Sequence, residues 1–158
     1  MILWFAEYAA RATHVLIGTI WLGATWFSLA VLHRRGPQCF ARDADFEDFI
    51  TRISDGNRRR IVGALLSSAL SGAALMALLG ADRVNMGLIT AKLALWCVSL
   101  GVLYTVSWRL WPARVFALPH ELPRLRDVQT RLRVLMVGAL GMSALLGLLA
   151  HALRDASH

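Results

Sequence analysis

Lysine is almost missing from this chain of 158 residues: sixteen of its seventeen basic side chains are arginines, and the single lysine is Lys92. Cysteine is nearly as scarce. Cys39 falls in a polar stretch and Cys97 in an apolar one, which excludes a disulfide framework and any CxxC redox or metal motif. Three of the four prolines lie between Pro112 and Pro123, so little else interrupts helix formation. The first ten residues contain no lysine or arginine, so a cleaved signal peptide is not expected. Internal repeats and low-complexity tracts are lacking, as is any polar segment long enough for a separate soluble domain.

What is present is apolar length. Hydrophobic residues make up 57% of the chain, and four runs reach the roughly 20 residues that cross a bilayer as helix. They are 12–32, 61–81, 84–108 and 134–153, and none contains an acidic residue. The net charge of +7 is distributed by topology. Thirteen basic residues lie in His33–Arg60 and Arg109–Arg133, whereas Arg11, Arg83 and Arg154 fall at the opposite ends of the runs. This asymmetry alternates across all four runs and places the arginine-rich segments in the cytoplasm. It excludes a nucleic-acid footprint. The expected fold is a single all-α domain spanning 1–158: an integral membrane four-helix bundle, antiparallel, with both termini on the outer side.

Between the runs, Phe46, Phe49, Ile50 and Ile53 follow i, i+3, i+4, i+7 spacing, predicting a short amphipathic helix over 45–55 against the cytoplasmic face. Asp45 would cap it and Gly56 would end it. The segment from Trp111 to Pro123 is expected to be irregular, and the short connection around Asp82 and Arg83 makes the second and third spans neighbours. Glu7 and Arg11 stand four apart, in the favourable order for a helical ion pair. Ala64, Ser68 and Gly72, with Gly63, Ser67 and Ser71 alongside, form a small-residue face suited to close packing. Trp108 and Trp111 suit an inner aromatic belt and Trp4 an outer one.

Ionisable groups inside apolar runs cost about 3 kcal/mol each on insertion scales, so they call for a function or a partner. Here they are His14, Lys92 and His151, all placed by the topology in the outer leaflet. On the first span His14, Gly18, Trp21 and Thr25 share a face, and on the fourth so do Ser143, Gly147 and His151. A glycine one turn from a histidine leaves room for a flat macrocycle, and haem iron takes axial histidines in bundle cores. The candidate cofactor is therefore haem b, with His14 and His151 as metal ligands and Gly18, Trp21, Gly147 and Arg11 beside it. Lys92 is the candidate catalytic residue, and with Arg11, Arg83 and Arg154 it would meet the haem carboxylates. Two other classes fit the same residues: copper handling through Met76, Met86, Met142 and the two histidines, and a structural subunit whose Lys92 pairs with a partner's acidic residue in a larger membrane complex. His33, His120 and His158 lie in loops or at the terminus, where solvent exposure is expected.

The first span reads HVLIGTIWLG, with His14, Trp21 and Gly23, and the third contains AKLAL from Ala91 to Leu95. This pattern resembles the bacterial membrane-embedded protoporphyrinogen oxidase of the HemJ type. It is similar also to the copper-resistance D (CopD) family and to the membrane part of the PuuD-type urate hydroxylases. The resemblance implies a four-helix, b-haem-associated redox protein of the bacterial inner membrane, an oxidoreductase or electron-transfer subunit. His14 and Lys92 would then match the oxidase's functional histidine and lysine. The chain departs from the oxidase pattern at Thr90 and Ala91, where a histidine neighbours the lysine, and at Phe27–Ala30, where a Pro-Arg segment is usual. It also lacks the Asn-Glu-x-Pro signature of the fourth helix. These departures bear more on the specific enzyme than on haem binding.

Overall fold

A chain crossing lipid must satisfy its backbone within each segment, and this one does so with helices throughout. The computed structural model describes residues 2–54, 56–79 and 86–155, and among them there is no strand. Five principal helices follow one another: α1 (Ile2–Phe27), α2 (Asp43–Ser54), α3 (Asn57–Leu79), α4 (Met86–Tyr104) and α5 (Leu122–Asp155). Four are long and apolar enough to cross a membrane, α2 being the exception.

The helices run past the apolar windows. α1 continues through a π-helical turn at Ser28–Leu32, where the His33 N–H bonds to the Ser28 carbonyl, into His33–Arg35. α4 likewise continues through a π turn at Thr105–Leu110 into Trp111–Val115. Each π turn inserts an extra residue and so re-phases the helix face beyond it. The irregular stretch expected up to Pro123 is confined to 116–121. Pro112 sits in the first turn of one helix and Pro123 in that of α5, where a missing N–H costs nothing. α5 thus starts twelve residues before its apolar run. The expected ends of the second and third spans near 80–85, and the termini around His158, lie outside the described residues.

α2 is the predicted amphipathic helix, starting at Asp43 instead of Asp45, whose carboxylate pairs with Arg42 at 2.8 Å instead of capping. Gly56 lies just beyond it at φ +69°, the left-handed conformation that glycine adopts freely. Only part of its apolar stripe docks on the bundle: Phe46 and Ile50 are buried, while Phe49 and Ile53 remain exposed.

The closest backbone packing is between α1 and α3, α4 and α5, and α1 and α5. α3 and α4, joined by the short 80–85 connection, make much less close backbone contact among the described residues. Every span contributes to one apolar core: Trp21 from α1, Leu65 from α3, Val102 and Leu103 from α4, and Met136 from α5. Outside it, large apolar side chains such as Leu70, Leu93 and Leu148 face outward, as lipid requires.

Candidate functional site

The Trp21 core separates two polar layers. In the first, His14 of α1 lies against the small-residue face of α3. Its Nδ1 is 3.2 Å from the Ser68 carbonyl and 3.0 Å from Ser71 Oγ, and Ser71 Oγ is itself 3.1 Å from that carbonyl. In the tautomer with its proton on Nδ1 the ring donates toward this carbonyl, which also accepts from the Ser71 hydroxyl. The neutral ring then presents its lone pair at Nε2, which has no hydrogen-bond partner among the described residues. Gly72 makes this approach feasible: a Cβ there would stand 3.3 Å from His14 Cε1. The small residues of α3 therefore serve packing and orient the histidine as well.

Lys92 of α4 extends across to α5. Its Nζ lies 3.3 Å from where a Cβ on Gly147 would be, so the space over Gly147, expected to admit a macrocycle beside His151, holds the ammonium. The Lys92 ammonium has no acceptor among the described residues. One turn along the same face of α4, Trp96 buries its indole Nε1 with no acceptor among the described residues. Ser99, a further turn on, spends its hydroxyl on the Leu95 carbonyl at 2.9 Å.

The remaining candidates divide. Trp21 is buried in the core, and its carbonyl accepts from the Thr25 hydroxyl at 2.8 Å. Arg11 pairs with Glu7 at 2.6 Å, as their spacing predicts. A Cβ on Gly18 would meet nothing within 4 Å. His151 belongs to α5, but its side chain and that of Arg154 lie outside the described residues, as does Arg83. Met76, Met86 and Met142 are exposed on the outer faces of their helices. Among the described residues no three His, Cys, Asp or Glu side chains gather as a metal-ion site.

The second polar layer, at the arginine-rich end, is not anticipated by the loop charges. Arg114, only 4% exposed, donates to both Glu47 oxygens at 2.7 and 2.9 Å and to Gln129 Oε1 at 2.6 Å. Arg126 reaches Glu47 at 2.6 Å and Asp43 at 3.0 Å. Burial would raise the Glu47 pKa, but hydrogen bonds and charge from Arg114 and Arg126 overcome it and hold the carboxyl below its ordinary value of 4.5. His33 is half-buried, not solvent-exposed as expected: its ring meets the Phe46 edge at 6.3 Å. Arg133 is buried beside Arg114. A signal for this layer does exist in the sequence. Arg126, Gln129, Arg133, Met136, Leu140, Ser143 and Gly147 follow one another at alternating three- and four-residue spacing, so α5 carries its inward stripe straight into the arginine-rich segment.

No protein-family model, curated protein or solved structure matches this chain, so the reading of its site rests on the chemistry of the residues themselves.

Proposed function

We propose that the chain is a haem-b-binding redox protein of a bacterial inner membrane, with both termini outside, antiparallel spans and the arginine-rich end in the cytoplasm. The observation that carries this reading is the His14 constellation. Metal-ligating histidines characteristically donate their second ring N–H to a carbonyl or carboxylate, which fixes the tautomer and leaves the other nitrogen for the metal. His14 has this arrangement through Ser68 and Ser71, inside a span where a histidine needs a partner.

The donor set fits the group. His14 Nε2 would hold the iron, and the ammonium of Lys92 and the indole N–H of Trp96, both lacking acceptors among the described residues, would meet the group's carboxylates. A bound haem would supply one-electron chemistry at its iron, tuned by its axial ligand and burial. The protein's part is to hold the imidazole in one tautomer, to neutralise an anion through Lys92 and to exclude water below through Trp21. Whether the activity is that of a HemJ-like oxidase or of an electron-transfer subunit is a matter of substrate and partner. The scattered methionines give the copper reading no comparable support.

The test is the visible spectrum of the purified protein. Wild type is expected to show a Soret band with reduced α and β bands, and His14→Ala to lose it while still inserting in the membrane. Lys92→Met is expected to lower occupancy or turnover, with Lys92→Arg restoring it in part, since arginine keeps the charge but not the compact ammonium. A full haem complement in His14→Ala refutes the ligand assignment, and a colourless wild type grown with sufficient haem refutes the cofactor.

A further inference from the structure

Buried donors outnumber acceptors at the arginine-rich end. Among the described residues, the Glu47 carboxylate is engaged by Arg114 and Arg126, Asp43 by Arg126, and Gln129 Oε1 by Arg114. Nothing is left for Arg133. It is 8% exposed, lies beside Arg114 and His33, and makes no hydrogen bond or ion pair among the described residues. Gln129, one turn away on the same face of α5, is fully buried, and its Nε2 is sealed without an acceptor. Turning the amide over offers no remedy, because Arg114 Nη1 requires the oxygen where it is.

A mostly buried guanidinium with no counter-charge is disfavoured, and the nitrogens of Arg133, unlike the sealed Gln129 Nε2, still reach the surface of the bundle. Three guanidiniums, of Arg114, Arg126 and Arg133, face two carboxylates, of Glu47 and Asp43, leaving one positive charge uncompensated. A singly charged anion with several oxygens satisfies the deficit at Arg133. Its level in the membrane identifies its class. Arg58 lies over the Trp108 ring at 4.8 Å, and Phe116 close by in sequence is 85% exposed, the arrangement of an interfacial aromatic belt at headgroup depth. The planar guanidinium fork matches phosphate geometry.

We propose that the arginine-rich end holds a phosphate group on Arg133, supplied by a phospholipid headgroup or by free phosphate. The two sources present the same oxygens, and the experiment separates them. Full-length protein is stripped of lipid in neutral detergent, and its thermal midpoint is followed at constant ionic strength. One arm adds inorganic phosphate, a second phosphatidylglycerol in mixed micelles, and a third a galactosyl diacylglycerol, which has no phosphate. Wild type is expected to be stabilised by the first or second addition and not by the third, and whichever acts names the source. Arg133→Leu should weaken that response at least about tenfold, as expected for a lost charge-assisted pair of hydrogen bonds. Gln129→Glu places an internal carboxylate beside Arg133, so it should raise the midpoint without phosphate and remove the response to it. This variant decides the matter should Arg133→Leu fail to fold. A wild type indifferent to both phosphate sources, a glycolipid as effective as phosphatidylglycerol, or a Gln129→Glu protein that responds like wild type would each overturn the proposal.

Discussion

Two glycines separate space that matters from space that does not. At Gly72 the neighbour is the His14 imidazole, held by Ser68 and Ser71; at Gly147 it is the tip of a flexible lysine, at the same 3.3 Å. Alanine in either helix gains about 1 kcal/mol over glycine in backbone propensity. In Gly147→Ala the ammonium swings aside by a few tenths of an ångström, so that gain should appear as a slightly higher thermal midpoint with unchanged cofactor occupancy. In Gly72→Ala the ring must move, and its bond to Ser68 is already 3.2 Å long. Stability there should change by less than about 1 kcal/mol, as packing loss offsets propensity, while haem occupancy falls. Equal occupancy in the two variants would show that α3 does not orient the histidine.

At the scale of elements, α2 is where charge and packing meet. Phe46 and Ile50 anchor it, and Glu47 between them clamps the helical extension of α4, Trp111–Val115, to α5 through Arg114 and Arg126. Glu47→Gln leaves Arg114 buried without its counter-charge, and breaking such a pair typically costs about 3–5 kcal/mol; the lower end is expected here because Arg126 keeps Asp43. Because the folded carboxyl titrates below 4.5, its contribution is complete above the unfolded value and disappears as pH falls through the folded one. Wild type should therefore lose its advantage over Glu47→Gln as pH drops from 6 towards 3, the two thermal midpoints converging in acid. Parallel curves across that range would remove Glu47 from the stability of the arginine–glutamate layer.

The elements were legible in the sequence to the extent that hydropathy encodes them. Four apolar runs became four candidate spans, and the Phe46–Ile53 stripe became α2. The helix limits were not legible, because an apolar window measures the lipid-facing length and is blind to a helix that continues in polar sequence. α5 begins at Leu122 amid arginines for that reason. Those arginines also concealed the arginine–glutamate layer: Arg126 and Arg133 satisfy the topology rule and serve in a buried cluster at once, and only their register with Met136 distinguishes the second role. The histidine–lysine layer was more legible because His14 and Lys92 stand out against apolar neighbours. Their partners did not: the Ser68 carbonyl is a backbone group, and Gly72 looks like any small packing residue.

For the whole molecule, the two polar layers on either side of Trp21 make orientation a functional matter. With the arginine-rich end in the cytoplasm, His14 and Lys92 serve the outer leaflet and Arg133 the inner one, and a reversed insertion would exchange them. The charge asymmetry argues for the first arrangement: thirteen basic residues flank one end of the spans and three the other, and each extra arginine resists translocation. The chain carries its own reporter. Cys39 closes a short 3-10 turn, Gly36–Cys39, at the arginine-rich end and is exposed, whereas Cys97 lies within α4. In a Cys97→Ser background, a membrane-impermeant maleimide should leave Cys39 unmodified in intact spheroplasts and label it once the membrane is opened. A cysteine placed at position 82, in the connection at the other end, should show the reverse. Labelling of Cys39 from outside would invert the molecule and move the histidine–lysine layer to the cytoplasmic leaflet.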